Sequence, residues 1–350
     1  MIETVIRKTL EYMAVPSVVG YEKPFMAYLK QDFKKLGLSA FIHEGLLEVH
    51  GAEPSSNYVC AHIDRHGLIS LGDDEYVYAA QYMKEIKYGE NNPTSRKEIE
   101  GLAKRFEGED IYAYHPDDGH VISRGKIEAC YPNMLNEDAL FYVEGFGLID
   151  KNVPISYARA AKYENGLLRG QIDNVVCVAA IYALYEAGYQ GSALFACEEE
   201  IGKSWSFIAQ FLEAAHIETE RLLVLDTSPF SDMSVIEAGD IVFRNRDKSA
   251  VFNAELISEL KARCTEKGLS YLVKDEVLLA QGKQIEELGS TELGRLVQGL
   301  DGRWNGATIQ IPTMMYHTSY ETTSRSALEH FMVFLGSVLI DDVVYTREVL

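Results

Sequence analysis

The chain has 350 residues, 47% of them hydrophobic and 25% charged, with a formal net charge of -20 at pH 7. Such a chain can bury a sizeable core and is long enough for two folding units. The acidic balance argues against a nucleic-acid or anionic-membrane surface, although a pocket can be locally basic on an acidic protein.

The opening stretch Met1-Ile2-Glu3-Thr4-Val5-Ile6-Arg7 carries charges inside its apolar pattern and no cleavage signal, so it reads as an amphipathic helix, not a secretory peptide. Helical apolar spacing is predicted over Ile2–Met13 and Lys23–Leu36, with the loop from Pro16 to Glu22 launching the second helix. Short β-like runs follow at Ala40–His43 and Leu46–His50. Next comes Asn57-Tyr58-Val59-Cys60-Ala61-His62, a continuous run typical of a strand buried on both faces. His62 then falls at the C-terminal end of a central strand, where open α/β sheets place their sites.

From Gly67 to about Gly170 the texture changes. Clusters of Gly, Asp and Pro separate short β-branched or aromatic runs such as Asp110–Tyr114 and Ala139–Val143, and only Ser95–Arg105 looks helical. This pattern predicts a mostly-β module inserted into an α/β unit. The α/β rhythm then returns: helix over Asp173–Ala187, strand over Ser192–Glu199, helix over Ser204–Ala215. A buried strand Arg221–Asp226 should end at Asp226, followed by a strand at Ile241–Arg244, a helix at Val251–Lys267 and a strand from Ala307 closed by Pro312. The apolar run Phe331–Ile340, ending at Asp341-Asp342, is too short to span a bilayer and reads as a buried helix. Five cysteines (Cys60, Cys130, Cys177, Cys197, Cys264), odd in number and without a CxxC pair, fit reduced thiols in the cytoplasm.

Five candidate ligands recur along the chain in the order His62, Asp173, Glu200, Asp226, His317. Two imidazoles, three carboxylates and no thiolate make a nitrogen and oxygen shell suited to two divalent ions, zinc first, with cobalt and manganese as alternatives. One carboxylate can bridge such ions, which then generate hydroxide and polarise a carbonyl at neutral pH. In His62-Ile63-Asp64, strand alternation puts His62 and Asp64 on one side, so Asp64 can accept the second imidazole N–H. Glu198-Glu199-Glu200 caps an apolar strand. For two of these neighbours to serve one site, the strand must end there, and Ile201-Gly202-Lys203 suits such a turn. Taken alone, Asp173 reads equally as a helix N-cap, Asp226 as an Asx-turn residue and His317 as a loop histidine. The ordered set carries the argument.

On these residues the chain resembles the M42 family of metallo-aminopeptidases, cytosolic enzymes that include glutamyl aminopeptidases and the self-compartmentalising tetrahedral peptidases. Val15-Pro16-Ser17-Val18-Val19-Gly20-Tyr21-Glu22 is similar to the family's PS-x-SG-x-E segment, and Ala61-His62-Ile63-Asp64-Arg65-His66-Gly67 to AHxDE-x-G. Glu199-Glu200-Ile201-Gly202 resembles EEVG, and the stretch from Ile311 to Glu321 resembles the terminal P-x-RY-x-HS-x-x-E. The β-like module lies between His62 and Asp173, as in M42. M20 deacylases carry theirs between the fourth and fifth ligands, and M28 aminopeptidases have a shorter gap.

The resemblance implies a three-layer αβα metallopeptidase domain of the zinc-exopeptidase kind over residues 1–67 and 168–350, with residues 68–167 as an inserted β-rich oligomerisation or lid domain. It implies Asp173 as the bridge between two metal ions, His62 and Asp226 on one site, and Glu200 and His317 on the other. Glu199 would be the general base on a metal-bridging water, and Asp64 the orienter of His62. Partners implied are short peptides cut at the N-terminal residue and further copies of the chain, from dimer up to dodecamer, with no nucleic acid or membrane. A related amidohydrolase of N-acyl amino acids and an inactive metal-binding homologue remain alternatives.

Three departures bear on substrate choice, rate and assembly: Arg65 replaces the acidic residue after HxD, Asp173-Asn174-Val175 replaces D-D-R, and GTDA has no clear counterpart around Leu300–Gly306. Arg65 and Arg303 could meet an acidic substrate side chain, with surface salt bridges the expected role of both.

Overall fold

The computed structural model describes residues 1–53, 58–90, 95–132 and 139–341; Asn57 and Asp342, named above, lie outside them. Helices α1 (Ile2–Met13) and α2 (Lys23–Lys35) lead into strands β1 (Ser39–His43), β2 (Leu46–His50) and β3 (Tyr58–His62). Next come β4 (Leu68–Gly72), β5 (Glu75–Tyr78), helices α3 (Ala79–Tyr88) and α4 (Arg96–Phe106), then β6 (Asp110–Tyr114), β7 (Val121–Pro132), β8 (Ala139–Glu144) and β9 (Pro154–Tyr157). The chain returns through β10 (Lys162–Glu164), β11 (Leu167–Gly170), α5 (Val175–Glu186), β12 (Ser192–Ala196), α6 (Ser204–Ala214) and β13 (Leu222–Pro229). It finishes with α7 (Met233–Ala238), β14 (Ile241–Phe243), α8 (Ala254–Glu266), β15 (Tyr271–Val273), α9 (Lys274–Ala280), α10 (Glu292–Gly299), β16 (Gly306–Thr313), β17 (Glu321–Ser324) and α11 (Arg325–Gly336).

Eight strands form one sheet in the order β1-β2-β12-β3-β13-β16-β14-β15. Its centre, β12-β3-β13-β16, is parallel, and β3, β12 and β16 are buried at every position. That is why these segments read as unbroken apolar runs: helices cover both faces, so neither face is polar. α1, α5 and α11 pack together on one side, while α6 and α10 pack on each other and on β12 and β16. α5 is buried almost all round, which explains its uniformly apolar sequence. The three-layer α/β architecture expected from the sequence is the one observed.

Six strands close a barrel, β4-β5-β8-β7-β6-β9, with a core of its own built on Tyr76, Phe106, Ile111, Ile127, Phe141 and Ile155. α4 caps it: Phe106 stacks on Tyr157 with ring centroids 5.0 Å apart, and a Ser95–Glu98 capping box starts the helix.

Three sequence expectations need correction. The sequence offered one helix among the β-like runs, yet α3 is a second. Its apolar face is only Ala79, Ala80 and Met83, too small to signal itself, and it is held by packing on Val18, Val19 and Ile201. Here Gly20 sits at φ +85°, a conformation that L side chains rarely adopt, with the Met83 side chain packed against it. Asp226 does not end its strand; β13 runs on to Pro229 because β16 pairs with it throughout, from Leu222↔Gly306 to Pro229↔Thr313, Pro312 included. The strand Ser192–Glu199 stops at Ala196.

All five cysteines are free thiols, four of them buried. Among the described residues, no helix is long and apolar enough to cross a membrane.

Candidate metal centre

Strand register builds half of the site. β12 pairs with β3 so that Ala196 lies opposite His62, and β13 pairs with β3 at Leu223↔Val59 and Val224↔Cys60. Extending that second register by two residues sets Asp226 level with His62. His62 Nε2 lies 3.6 Å from Asp226 Oδ1 and 3.3 Å from Asp173 Oδ1. Asp226 is held by the Thr227 amide at 2.7 Å and by Gln310, whose Oε1 accepts from the buried Arg244 at 3.0 Å.

Because β12 ends at Ala196, the three consecutive glutamates leave the strand in three directions. Glu198, at φ +66°, binds Lys87 and Tyr88 at the end of α3. Glu199 Oε1 accepts from Arg295 of α10 at 2.7 Å. Glu200 Oε2 lies 2.8 Å from His66 Nε2 and 3.6 Å from His317 Nε2. The turn demanded by the sequence is therefore present.

Two buried carboxylates hold the loops that carry the ligands. Asp64, 0% exposed, accepts the backbone N–H groups of Glu199 and Glu200, each at 2.9 Å. Glu321, 1% exposed, accepts those of Asp173 at 2.8 Å and His317 at 2.6 Å. Asp64 Oδ1 also stands 3.5 Å from His62 Nδ1, but β3 ends at His62, so its main partners are the two amides. Asp173 does not cap α5; the cap position is Asn174, whose Nδ2 donates to the Leu225 carbonyl at 2.8 Å. The Asp173–Asn174 peptide is cis.

Asp173 joins the two halves. Its Oδ1 faces His62 and its Oδ2 faces His317 at 3.5 Å. Donor atoms of His62, Asp173 and Asp226 fall within 4.8 Å of one another, and so do those of His66, Glu200 and His317. All five sequence-named ligands thus converge, joined by His66, which the sequence reading passed over as the neighbour of Arg65.

The donor set fits divalent cations. Asp173 Oδ1 and Oδ2, Glu200 Oε1, His66 Nε2 and His317 Nε2 are buried without a protein hydrogen bond. Donor separations of 3.3 to 3.6 Å are close to the edge of a tetrahedron with bonds of about 2 Å. Buried negative charge points the same way. Burial, with Asp173 nearby, pushes the Glu200 carboxyl up to about 8. Burial raises Glu199 well above the carboxylate range against the pull of Arg295, and raises Glu321 as well. Asp173 goes the other way: burial is outweighed by His317 and His62, and its carboxyl is held low.

Sequence reasoning missed Arg295, the clamp role of Glu321, and Glu292. Glu292 is 3% exposed at the start of α10, and burial pushes it up to about 7. Gly289-Ser290-Thr291-Glu292 is more similar to GTDA than the stretch around Leu300, so a signal was present ten residues upstream. Arg65 is not at the surface: its guanidinium donates to Ser17 Oγ at 2.7 Å and to the carbonyls of Met13 and Val15, tying down the N-terminal loop. Arg303 does pair at the surface, with Glu218 at 2.6 Å and Glu213 at 3.3 Å.

Solved structures similar to this chain include aminopeptidases, TET enzymes among them, and proteins described as endoglucanases. Aminopeptidase APDkam598 from Desulfurococcus kamchatkensis matches with a TM-score of 0.71 at 14% identity, over 97% of this chain and 95% of its own. The TET aminopeptidase of a marine sediment thaumarchaeon gives 0.70 at 15%, over 95% and 94%. The TET1 peptidase of Pyrococcus horikoshii, which can assemble into a tetrahedron or a large octahedral shell, gives 0.67 at 16%, over 96% and 99%. No family model matches the chain, and no curated protein matches it in sequence. At these identities the likeness is one of fold.

Two predictions follow from the geometry. Glu200, with a folded pKa of about 8 against an ordinary 4.5, binds protons in the metal-free fold that the unfolded chain releases. The metal-free protein therefore loses stability as pH rises from about 4.5 to 8, while cation binding, which needs the deprotonated ligand, strengthens over that window. Melting curves at pH 6 and pH 8 with and without zinc should show a larger zinc-induced rise at pH 8; an equal or smaller rise would contradict this placement of charge. Replacing Asp64 by Ala frees the amides of Glu199 and Glu200 and should weaken metal affinity by about 10- to 100-fold, measured by competition with a chelating dye.

Proposed function

We propose that this chain is a metal-dependent aminopeptidase that removes the N-terminal residue of short peptides. Asp173 carries the reading: its two oxygens face two separate groups of imidazole and carboxylate donors. The fold-level likeness to aminopeptidases along almost the whole chain supports it. His62 and Asp226 would hold one ion, Glu200 and His317 the other, with Asp173 shared and His66 added to the second set. Two divalent ions bound there supply a readily deprotonated water and polarise the scissile carbonyl.

The remaining chemistry falls to the side chains of this protein. Glu199 is the general base. Arg295 engages its Oε1, leaving Oε2 to take the proton of the attacking water and pass it to the leaving amine nitrogen as the C–N bond breaks. Atoms balance: water adds its hydroxyl to the carbonyl carbon and its proton to the new peptide N-terminus. Burial raises the Glu199 carboxyl above the carboxylate range, and the Arg295 guanidinium opposes that rise. Asp64 and Glu321 stay out of proton transfer and fix the loops that present Glu199, Glu200, Asp173 and His317. Four buried free thiols accord with a reducing compartment, the cytoplasm.

Release of p-nitroaniline from aminoacyl-p-nitroanilides, with N-acetyl-amino acids left intact, is the expected activity of the zinc-loaded protein; the reverse pattern would make it a deacylase. Glu199→Gln should lower kcat by about 10²- to 10⁴-fold with metal content unchanged by atomic absorption. Full turnover in that variant would remove Glu199 as the base. We also propose that the barrel mediates self-assembly, since it exposes Val121, Ile122, Tyr131, Tyr142 and the 97% exposed Leu148. Light scattering should give a multiple of 39.3 kDa, and a stable monomer at micromolar concentration would refute the assembly.

A further inference from the structure

Among the described residues, a further group of imidazole and carboxylate donors comes together away from the candidate metal centre, at the turn joining β6 to β7. His115 follows the last residue of β6 and His120 precedes the first of β7, so His115-Pro116-Asp117-Asp118-Gly119-His120 is the whole connection. Two backbone bonds close it: the His115 N–H donates to the His120 carbonyl at 2.9 Å, and the Gly119 N–H to the His115 carbonyl at 2.9 Å. The two imidazoles then stand face to face, with ring centroids 5.0 Å apart and planes 13° from parallel. Gly119, at φ +74°, seats the turn on the N-terminal loop, where a Cβ would lie 2.8 Å from Pro16 Cγ and 3.0 Å from Pro24 Cβ.

The two acids of the turn have different tasks. Asp117 Oδ1 pairs with Lys23 Nζ at 2.7 Å, at the start of α2. Asp118 serves the imidazoles: its Oδ1 lies 2.7 Å from His120 Nδ1 and 3.3 Å from His115 Nδ1, and it accepts the His120 backbone N–H at 3.2 Å. The Asp117 backbone N–H donates to His115 Nδ1 at 3.4 Å. A backbone amide nitrogen only donates, so His115 Nδ1 carries a lone pair and its proton sits on Nε2. A nitrogen lone pair and a carboxylate oxygen therefore stand 3.3 Å apart with no proton between them. Two such acceptors repel unless a cation bridges them. His120 can take the same neutral tautomer, which turns a third lone pair toward Asp118. Donor atoms of the three residues fall within 4.8 Å of one another, as close as in either group of the candidate centre.

We propose that His115, Asp118 and His120 form a further divalent-cation site, carried by the barrel and sharing no donor with the groups at the strand ends. Two imidazoles and a single carboxylate favour zinc, copper or nickel over magnesium and calcium, which take shells of oxygen. Asp118 and His120 are exposed and His115 is half-buried, so water completes the shell and the ion binds less tightly than in a closed set of four protein ligands. The ion staples the two ends of the turn. Through the Asp117–Lys23 pair and Gly119 it also stiffens the seat of the barrel on the N-terminal loop. The site is independent of the aminopeptidase reading.

The test is equilibrium dialysis of the tag-free full chain against zinc, with bound metal counted by atomic absorption. At saturation the wild type is expected to hold about one equivalent per chain more than the His115→Ala/His120→Ala double variant. The readout is the difference between the two proteins, so it stands whether the central donors take two ions, one or none. Magnesium at the same concentration is expected to show no such difference. Circular dichroism checks the fold of the variant, and Asp118→Asn, expected to lose the same equivalent, is read in its place if the double variant does not fold. Equal zinc content in the wild type and the variant overturns the site. A difference as large with magnesium as with zinc overturns the imidazole ligation.

Discussion

Buried negative charge at the C-terminal ends of the central strands is the constraint on which the rest of this structure depends. Asp64, Asp173, Glu198, Glu200, Glu292 and Glu321 meet within one region of the sheet edge, nearly all of it shielded from water. Carboxylates in such a place must be hydrogen-bonded, paired or neutralised. The chain does all three in separate places. Asp64 and Glu321 each take two backbone amides. Glu198 and Glu199 take Lys87 and Arg295. Asp173 and Glu200 are left facing imidazoles across gaps that a cation fits.

The two amide clamps explain how loops at the strand ends can bring the candidate donor atoms together. Asp64 comes from the end of β3 and fixes the turn after β12; Glu321 comes from β17 and fixes the segment before α5. Each clamp therefore ties together chain segments that are distant in sequence, and the ligands ride on the clamped backbone. Positioning through main-chain groups also leaves the ligand side chains free for metal.

The barrel contributes to the same site. α3 reaches Glu198 through Lys87 and Tyr88, and Tyr78 of β5 holds His66. The module inserted after His62 thus closes one side of the candidate metal centre.

Much of this was legible in the sequence, and the reason is local. The core strands β3, β12 and β16 appear as apolar runs because both faces are covered, and the ligand types stand beside those runs. His62 and the turn that carries Glu200 follow from local signals at strand ends, although the strand before that turn was expected to run to Glu199 and stops at Ala196. What escaped depends on contacts between distant elements. Arg295 meets Glu199 across 96 residues because α10 packs on α6, and no local pattern marks that contact. α3 has an apolar face too small to announce itself, Arg65 looked like a surface cation until the N-terminal loop folded over it, and Asp226 looked like a strand end until β16 extended its partner. The sequence by itself determined the candidate ligand residues, their order and the layered fold, since these are properties of composition and short-range period. Only the tertiary structure decided which oxygen of Asp173 faces which imidazole, which cation holds Glu199, and that His66 stands with Glu200 and His317, because those outcomes are set by register and packing across the sheet.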